Sequence, residues 1–186
     1  MYLAFETALK AGVKVIQLRE KDLPARELLD MAKWMRDLTR EYRAHLVVND
    51  RVDIAIAVEA DGVHLGRQGI PVSAVRKITG EKLCVGVSTH SFTEAIDAEK
   101  DGADFITLGP VYKTPSKLRF GDPVGREVLR EAKSRISIPV LAIGGIKQGN
   151  VKEVADTGAD GIALISAILT SENIKETTED FLRLLK

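Results

Sequence analysis

The sequence has a single cysteine, few aromatic residues and no excess of charge of either sign. The one cysteine, Cys84, excludes an internal disulfide and any metal site built from clustered cysteines. It lies between Leu83 and Val85, and this apolar setting predicts a buried, unreactive thiol. Lysine plus arginine and aspartate plus glutamate each total 27, so the formal net charge is zero. That balance argues against a general nucleic-acid or membrane-surface binder, because both depend on excess positive charge.

Long apolar runs are also missing from the chain. No stretch approaches the roughly 18 residues that a membrane-spanning helix needs, and no signal peptide is evident. We therefore expect a cytoplasmic protein with no membrane partner. Hydrophobic residues make up 45% of the 186 residues and charged residues 29%, which is typical of a globular protein. This length predicts one domain, spanning residues 1–186.

A pattern of helix end, small residues and short apolar strand recurs along the chain. It occurs at 10–18, 59–66, 101–109 and 157–165. Further apolar strands are predicted at 45–48, 83–87 and 140–143, and the first strand of the chain at 13–16. Amphipathic helices are predicted between the strands, at about 5–10, 25–42, 52–58, 72–79, 92–100, 126–134, 151–156 and 174–185. Alternation of helices with nearly continuous apolar strands predicts an α/β protein with a parallel sheet.

Two parallel layouts compete, a doubly wound open sheet and a closed (β/α)₈ TIM barrel. No Gly-x-Gly-x-x-Gly follows an early strand, which weakens the dinucleotide-binding form of the open sheet. Polar residues or glycines end every predicted strand, at the edge where barrel enzymes place their sites. We therefore predict the barrel. Only seven strands are found and the chain opens in a helix, so the barrel lacks its first strand in this chain.

The most distinctive short segment is residues 17–22, Gln-Leu-Arg-Glu-Lys-Asp. Side chains two apart in a strand share a face, so Gln17, Arg19 and Lys21 are expected to project together from the end of the first strand. They could form a binding site or simply a solvated strand end, and this segment alone leaves both open.

Two later strand ends contain small residues suited to an anion. Gly144 and Gly145 end one strand, and Ile165 and Ser166 end the next. Glycines after the seventh barrel strand and a short helix after the eighth form the common phosphate site of barrels. The alternative is that Gly144 and Gly145 form only a tight turn.

Further candidates follow other strands. Asn49 and Asp50 end one strand, and Asp50 is a candidate Mg²⁺ ligand, because Mg²⁺ often takes one or two protein carboxylates plus water and substrate phosphates. An N-cap of the next helix is the alternative. The long segment after Gly109 carries Thr114, Ser116 and Lys117, which could hold a phosphate or form a solvated loop.

Among the remaining polar residues near strand ends, Ser88 is a better binding candidate than His90. His64 is interpreted as a core histidine and His45 as structural. No Ser/His/Asp triad or histidine metal cluster is evident, which argues against acyl-transfer hydrolysis.

Six motifs in order make the sequence resemble the thiamine phosphate synthase (thiamine-phosphate pyrophosphorylase) family. They are Gln-Leu-Arg-Glu-Lys-Asp at 17–22, Asn-Asp-Arg-Val-Asp at 49–53, Ala-Asp-Gly-Val-His-Leu-Gly at 60–66, Gly-Val-Ser-Thr-His-Ser at 86–91, Gly-Pro-Val-Tyr-x-Thr-Pro-Ser-Lys at 109–117 and Ala-Ile-Gly-Gly-Ile at 142–146. The resemblance implies a barrel transferase that couples hydroxymethylpyrimidine diphosphate to thiazole phosphate with Mg²⁺ and releases diphosphate.

The resemblance also implies roles for individual residues. The pyrimidine diphosphate would be held by Gln17, Arg19, Lys21, Asn49, Ser88 and Lys117. The thiazole phosphate would be held by Thr114, Ser116, Gly145, Ile165 and Ser166. Asp50 would bind the metal, and the catalytic residues would be Arg19, Lys21, Ser88 and Lys117. The implied partners are these small molecules and no nucleic acid, and a homo-oligomer is left open.

Two positions depart from the family pattern. Gly69 stands where the family has a second Mg²⁺ aspartate, and Ser116 stands where threonine is usual. Loss of the carboxylate keeps two alternatives open. One is a thiazole tautomerase, a sister family that has a histidine where this chain has Pro110. The other is a non-catalytic paralogue that binds thiazole or thiamine phosphate.

Overall fold

The computed structural model describes residues 2–114 and 122–185, in which helices alternate with short strands. The helices are α1 Tyr2–Lys10, α2 Ala25–Glu41, α3 Val52–Ala57, α4 Val72–Thr79, α5 Phe92–Lys100, α6 Gly125–Arg135, α7 Val151–Ala155, α8 Ser166–Leu169 and α9 Ile174–Leu184. The strands are β1 Val15–Leu18, β2 His45–Asn49, β3 Gly62–Leu65, β4 Cys84–Thr89, β5 Phe105–Leu108, β6 Val140–Ile143 and β7 Gly161–Ala163. All seven predicted strands are present.

The strands follow one another in the sheet in the order of the sequence, β1 to β7. The chain forms two compact units, residues 1–86 and 87–186, and β4 belongs to both. In the first unit β1 pairs with β2 and β2 with β3, both in parallel. In the second unit β5 pairs with β6 and β6 with β7, again in parallel. Each strand therefore ends at the same edge of the sheet as its neighbours in the unit.

Each unit buries one stripe of its helices against apolar strands. In the first unit α2 buries Leu28, Ala32 and Met35, which lie on one helical face. In the second unit α6 buries Leu129 and Ala132 in the same way. Burying a leucine or methionine side chain stabilises the fold by about 1.5–3 kcal/mol, so these stripes hold the helices on the sheet.

In the sequence repeat an aspartate directly precedes a strand, and its carboxylate hydrogen-bonds to the beginning of the preceding strand in the sheet. Asp61 Oδ2 accepts a hydrogen bond of 2.7 Å from the backbone N–H of Leu46 in β2 and is paired with Arg36 of α2. Burial, the largest single influence, raises the pKa of Asp61. The hydrogen bonds from Leu46 and Arg36 outweigh it, and the pKa lies below its ordinary value.

The second unit repeats this arrangement with different residues. Asp160 Oδ2 accepts a hydrogen bond of 2.7 Å from the backbone N–H of Val140 in β6 and another of 2.7 Å from Lys133 of α6. Burial raises the pKa of Asp160, but the bonds from Lys133 and Val140 outweigh it and lower the pKa overall. The aspartate of the sequence repeat therefore links three elements in each unit: the strand that follows it, the preceding strand and a helix.

The structure corrects two expectations about the strands. The first strand is Val15–Leu18 and not 13–16, because its pairing with β2 begins at Val15 opposite His45. Cys84 is exposed rather than buried. It lies against Gly62 of β3, where an added Cβ would come within 2.8 Å of Cys84 O, and this glycine has no side chain to cover the thiol.

No helix in residues 2–114 and 122–185 is both long and apolar enough to cross a membrane. A single domain over residues 1–186 stays a prediction.

Candidate active site

The segment 17–22 begins in β1 and continues beyond it. Gln17 lies in the strand, and its Nε2 is hydrogen-bonded to Nδ1 of His64, which is buried. His64 is thus a core histidine with a polar partner, as predicted. Because β1 ends at Leu18, Arg19 and Lys21 both lie beyond the strand, Lys21 in a bend, so the expectation that one strand face carries Gln17, Arg19 and Lys21 is wrong.

Arg19 and Lys21 are nevertheless both exposed to solvent. Within the part of the chain that the structure describes, neither cation forms an ion pair or a hydrogen bond through its side chain. Most other arginines of the first unit are paired, as Arg36 is with Asp61 and Arg40 with Glu59. Two cations in one short segment are therefore available to an anionic ligand.

Asp50 follows β2 and has a left-handed backbone, with φ of 57°. Its Oδ1 accepts a hydrogen bond of 2.7 Å from the N–H of Gly66, and its Oδ2 accepts one of 2.8 Å from Nδ2 of Asn49. The alternative that Asp50 is an N-cap is wrong. Arg51 precedes α3, and no side chain caps this helix. The carboxylate is held instead by its neighbour and by the loop after β3.

Gly69 lies directly beside this carboxylate. The loop from Gly66 to Gly69 is closed by a hydrogen bond of 2.8 Å from the N–H of Gly69 to Gly66 O. A Cβ placed on Gly69 would lie 3.0 Å from Asp50 Oδ1. The φ of Gly69 is outside the left-handed region, so its backbone does not require a glycine. Position 69 is thus a place from which a side chain would reach the Asp50 carboxylate.

Asp50 is the carboxylate of this group that could hold Mg²⁺. In the described ranges no three or more His, Cys, Asp or Glu side chains are grouped as a metal site. Asp50 supplies one carboxylate with two further lone pairs beyond its two hydrogen bonds. Mg²⁺ commonly uses one or two protein carboxylates and completes its shell with water and substrate phosphates. Asp50 therefore fits a metal that arrives with a phosphorylated ligand.

In the second unit Ser88 lies on the wall of a small pocket at the ends of β4, β5 and β6. The pocket is lined by Ser88, Thr89, His90, Thr107, Gly109, Pro110, Ile143 and Gly144. Most of this surface is apolar; three of its polar residues lie at the end of β4, and Thr107 lies in β5. The pocket thus contains one residue predicted from the sequence, Ser88, and one that was ranked below it, His90.

Gly144 and Gly145 pack against the segment after β5. Gly144 O accepts a hydrogen bond of 3.0 Å from the N–H of Tyr112, and a Cβ on Gly145 would lie 2.7 Å from Tyr112 Cβ. Both glycines have left-handed φ values, 96° and 69°. Asn150 Nδ2 also donates to Gly145 O at 3.1 Å. This is a tightly built turn, and its glycines are required by both conformation and space.

Tyr112 is itself held by α7. Its hydroxyl donates a hydrogen bond of 3.0 Å to Oε2 of Glu153, which also pairs with Arg126 of α6 at 3.1 Å. Burial and this bond together raise the pKa of Tyr112. The contacts fix the position of the glycine turn relative to α6 and α7.

The remaining predicted residues are placed as follows. Ile165 precedes the short helix α8, is 62% exposed, and is followed by Ser166 as the first helical residue. Thr114 ends the described part of the segment after β5 and is half-buried. Ser116 and Lys117 lie outside the described residues. The structure groups Gln17, Arg19, Lys21, Asn49 and Asp50 in the first unit and Ser88, Thr114, Gly145, Ile165 and Ser166 in the second.

Sequence reasoning missed Glu94, Tyr112 and Glu153. A signal existed for Glu94, because Ser91-x-x-Glu94 is a capping-box pattern. Ser91 Oγ does accept the N–H of Glu94 at 3.1 Å. No comparable short-range pattern identifies Glu153, which reaches Tyr112 from a distant helix.

Comparison with known proteins places these residues in context. Residues 2–168 match the family model described as thiamine monophosphate synthase. The chain is 51% identical over 180 residues to the putative thiamine-phosphate synthase of Geobacter sulfurreducens, covering 97% of this chain and 84% of that protein. It is 45% identical over 181 residues to the thiamine-phosphate synthase of Halalkalibacterium halodurans, covering 97% and 86%.

Solved structures agree with the fold. Thiamine phosphate pyrophosphorylase from Pyrococcus furiosus superposes with a TM-score of 0.92 at 42% identity, over 98% of this chain and 88% of that chain. The 3-hexulose-6-phosphate synthase of Salmonella typhimurium has a TM-score of 0.78 at 16% identity, over 99% of this chain and 91% of that one. The latter shows only a shared fold. The predicted class, an α/β fold of the TIM-barrel type, is confirmed, with seven strands in the described residues.

Proposed function

The chain belongs to the thiamine monophosphate synthase family, and we propose that it couples hydroxymethylpyrimidine diphosphate to thiazole phosphate in a Mg²⁺-dependent reaction. Its predicted function as a thiamine-phosphate synthase, and hence as a transferase, is confirmed at the level of the family. The particular substrates, the metal and the roles of individual residues are the parts that we propose.

The observation that carries the proposal is that two exposed cations follow β1 and a held carboxylate follows its neighbouring strand β2. In the described residues Arg19 and Lys21 have no anionic side chain of their own, whereas Asp50 is fixed by Asn49 and Gly66. Such an arrangement suits a diphosphate, which needs several positive groups, together with a cation that the carboxylate retains.

The reaction we propose breaks the bond between the pyrimidine methylene carbon and the diphosphate oxygen. The oxygen leaves with the bonding electrons, so the diphosphate gains charge while the carbon becomes cation-like. Arg19 and Lys21 stabilise that developing charge, which lowers the barrier because it appears only as the bond breaks. The thiazole nitrogen then supplies its lone pair to the carbon, and no protein nucleophile is required.

Mg²⁺ would be held by Asp50 and, when bound, would neutralise charge on the diphosphate. With glycine at position 69, the protein offers one carboxylate there. The metal shell would therefore be completed mainly by the substrate and water. Asn49 serves this site by donating its amide to Asp50 Oδ2 at 2.8 Å, which keeps the carboxylate in one orientation.

In the second unit we propose that the thiazole phosphate is bound by backbone and hydroxyl groups. Gly145 and Ser166 would contribute N–H donors, with the backbone of Ile165 beside them, and Thr114 and Ser116 would add hydroxyls. The glycine turn is held by Asn150 and Tyr112, so its donors are oriented before a ligand arrives. Preorganised donors reduce the entropic cost of binding.

A direct test is a coupling assay with both phosphorylated substrates over a Mg²⁺ series. The proposal predicts thiamine phosphate and diphosphate in equal amounts. Binding of thiazole phosphate without product would instead support a non-catalytic paralogue, and isomerisation of a thiazole carboxylate phosphate alone would support a tautomerase. Pro110, which has no ionisable group, lines the Ser88 pocket and disfavours the tautomerase. A cytoplasmic location and a homo-oligomer stay predictions.

A further inference from the structure

Glu153 has no part in the proposed reaction, yet its carboxylate joins three elements of the second unit. It lies in the first turn of α7. Its Oε2 accepts a hydrogen bond of 3.0 Å from the hydroxyl of Tyr112 and lies 3.1 Å from Nη1 of Arg126 in α6. One carboxylate oxygen therefore connects the segment after β5 to two helices. A residue that supports a ligand site from behind in this way is a candidate positioning residue.

The position of α7 is set by the core of the unit. Val151 and Val154 of this short helix are both fully buried, each 0% exposed. Glu153 lies between them in the sequence, with about half of its side chain in solvent. Protein interiors are closely packed, so a helix with two fully buried valines cannot shift without opening the core. The backbone of Glu153 is therefore fixed, and its carboxylate is an acceptor at a defined place.

Tyr112 connects this acceptor to the glycine turn. Its backbone N–H donates a hydrogen bond of 3.0 Å to Gly144 O, and a Cβ on Gly145 would lie 2.8 Å from Tyr112 O. Burial and the bond to Glu153 raise the pKa of Tyr112, so its hydroxyl stays protonated and donates at neutral pH. Because Tyr112 touches both glycines, a shift of this residue would displace the turn as well.

The start of α6 completes the cluster from the other side. The N–H of Val124 donates to Pro110 O at 2.9 Å, which places the beginning of the helix against the segment after β5. Arg126 then pairs with the same oxygen of Glu153 that accepts from Tyr112. Both charged side chains are about half exposed, so their ion pair contributes little to stability by itself. The effect of the cluster is mainly on geometry.

We propose that Glu153 is a positioning residue for thiazole phosphate binding, which acts through Tyr112 by holding the glycine turn in the conformation that presents the N–H of Gly145 to the phosphate. Without this contact the turn occupies further conformations, and the apparent affinity falls with the fraction that remains competent to bind. The inference rests on the proposed function, because thiazole phosphate is one of its two substrates. It concerns that substrate alone, since the diphosphate is assigned to residues of the first unit.

The test is the steady-state kinetics of coupling, with each substrate varied while the other and Mg²⁺ are saturating. Glu153→Ala removes the acceptor, and Tyr112→Phe removes only the donor oxygen and keeps the packing of the ring. We expect each variant to raise KM for thiazole phosphate about three- to tenfold, the effect of one hydrogen bond. KM for the pyrimidine diphosphate and kcat should stay within about twofold. The double variant should be no worse than Glu153→Ala, because both changes remove the same contact.

Two further variants separate positioning from a merely structural role. Glu153→Gln keeps an acceptor for the Tyr112 hydroxyl and should hold KM for thiazole phosphate within about twofold of the unaltered protein. Glu127→Ala removes a comparable exposed ion pair, with Arg130 on α6, and should change neither KM.

The outcomes distinguish this inference from the function on which it rests. An unchanged KM for thiazole phosphate in both Glu153→Ala and Tyr112→Phe, or an equal rise in the KM of both substrates, overturns the positioning role while the proposed function stands. An unaltered protein that forms no thiamine phosphate overturns both.

Discussion

Replacing Gly69 with aspartate should convert a site with one carboxylate into a site with two. A Cβ at this position lies 3.0 Å from Asp50 Oδ1 and 3.0 Å from Gly66 O, so the new side chain would meet the existing carboxylate after a shift of a few tenths of an ångström. The φ of Gly69 needs no glycine. The substitution therefore costs little in backbone conformation and acts mainly through charge.

The expected magnitude follows from the two opposing charge effects. Two carboxylates about 4 Å apart repel by about 1 kcal/mol in water and about 4 kcal/mol near a protein surface. A divalent cation between them removes that repulsion and gains a second anionic ligand. We expect Gly69→Asp to raise the affinity for Mg²⁺ or Mn²⁺, without substrate, by about 10- to 100-fold.

The assay is metal titration of the protein alone, by calorimetry for Mg²⁺ and by electron paramagnetic resonance for Mn²⁺. Gly69→Asn is the matched control, because it introduces a side chain of the same size without the charge. The thermal midpoint of Gly69→Asp should also rise on metal addition, since a ligand of the native state stabilises it. Equal metal affinities in the aspartate and asparagine variants would show that position 69 does not face the metal.

Three further predictions concern the cations, the strand-closing aspartates and the glycine turn. Arg19→Ala should lower the coupling rate at least about 100-fold, more than removal of Mg²⁺ does, with Lys77→Ala on α4 as a neutral control; the reverse order would contradict the role of Arg19. Asp61→Ala should lower the unfolding free energy by about 1–3 kcal/mol, because the buried N–H of Leu46 loses its acceptor. Because the pKa of Asp61 is lowered on folding, the stability that Asp61 contributes is complete above the ordinary carboxyl pKa and is lost as the pH falls through the lower folded pKa. The unfolding free energies of the unaltered protein and of Asp61→Ala are compared by urea unfolding over this pH range. A difference that does not change with pH would contradict the role of Asp61. Gly145→Ala should destabilise more than Gly158→Ala, since both glycines have left-handed φ values but only Gly145 contacts Tyr112; equal shifts in thermal midpoint would refute the packing argument.

Local pattern was enough to predict most of the fold. Apolar strands and amphipathic helices repeat at short range, so the seven strands and their parallel order were expected from alternation alone. The limits of β1 were not, because its first paired residue, Val15, is set by the register with His45 of another strand. The exposure of Cys84 was likewise not predictable from the apolar residues on either side of it.

The candidate site, like the fold, could be predicted from the sequence only in part. The residues next to Asp50 in the sequence could not decide whether it is a metal ligand or an N-cap. The hydrogen bond from Gly66 decides that the carboxylate turns toward the loop after β3. The contact of Glu94 with His90 could be recognised only in part, from the helix-cap pattern of Ser91 and Glu94. Chemistry that depends on one residue positioning another is visible only once the chain is folded.

The most direct test of the central claim is the formation of thiamine phosphate by the purified protein across a Mg²⁺ series. Both phosphorylated substrates are supplied, and thiamine phosphate and diphosphate are quantified together. Our account predicts stoichiometric release of the two products, at a rate that rises with Mg²⁺ and requires both substrates. Absence of thiamine phosphate at every Mg²⁺ concentration, from a protein that still binds thiazole phosphate, would contradict it.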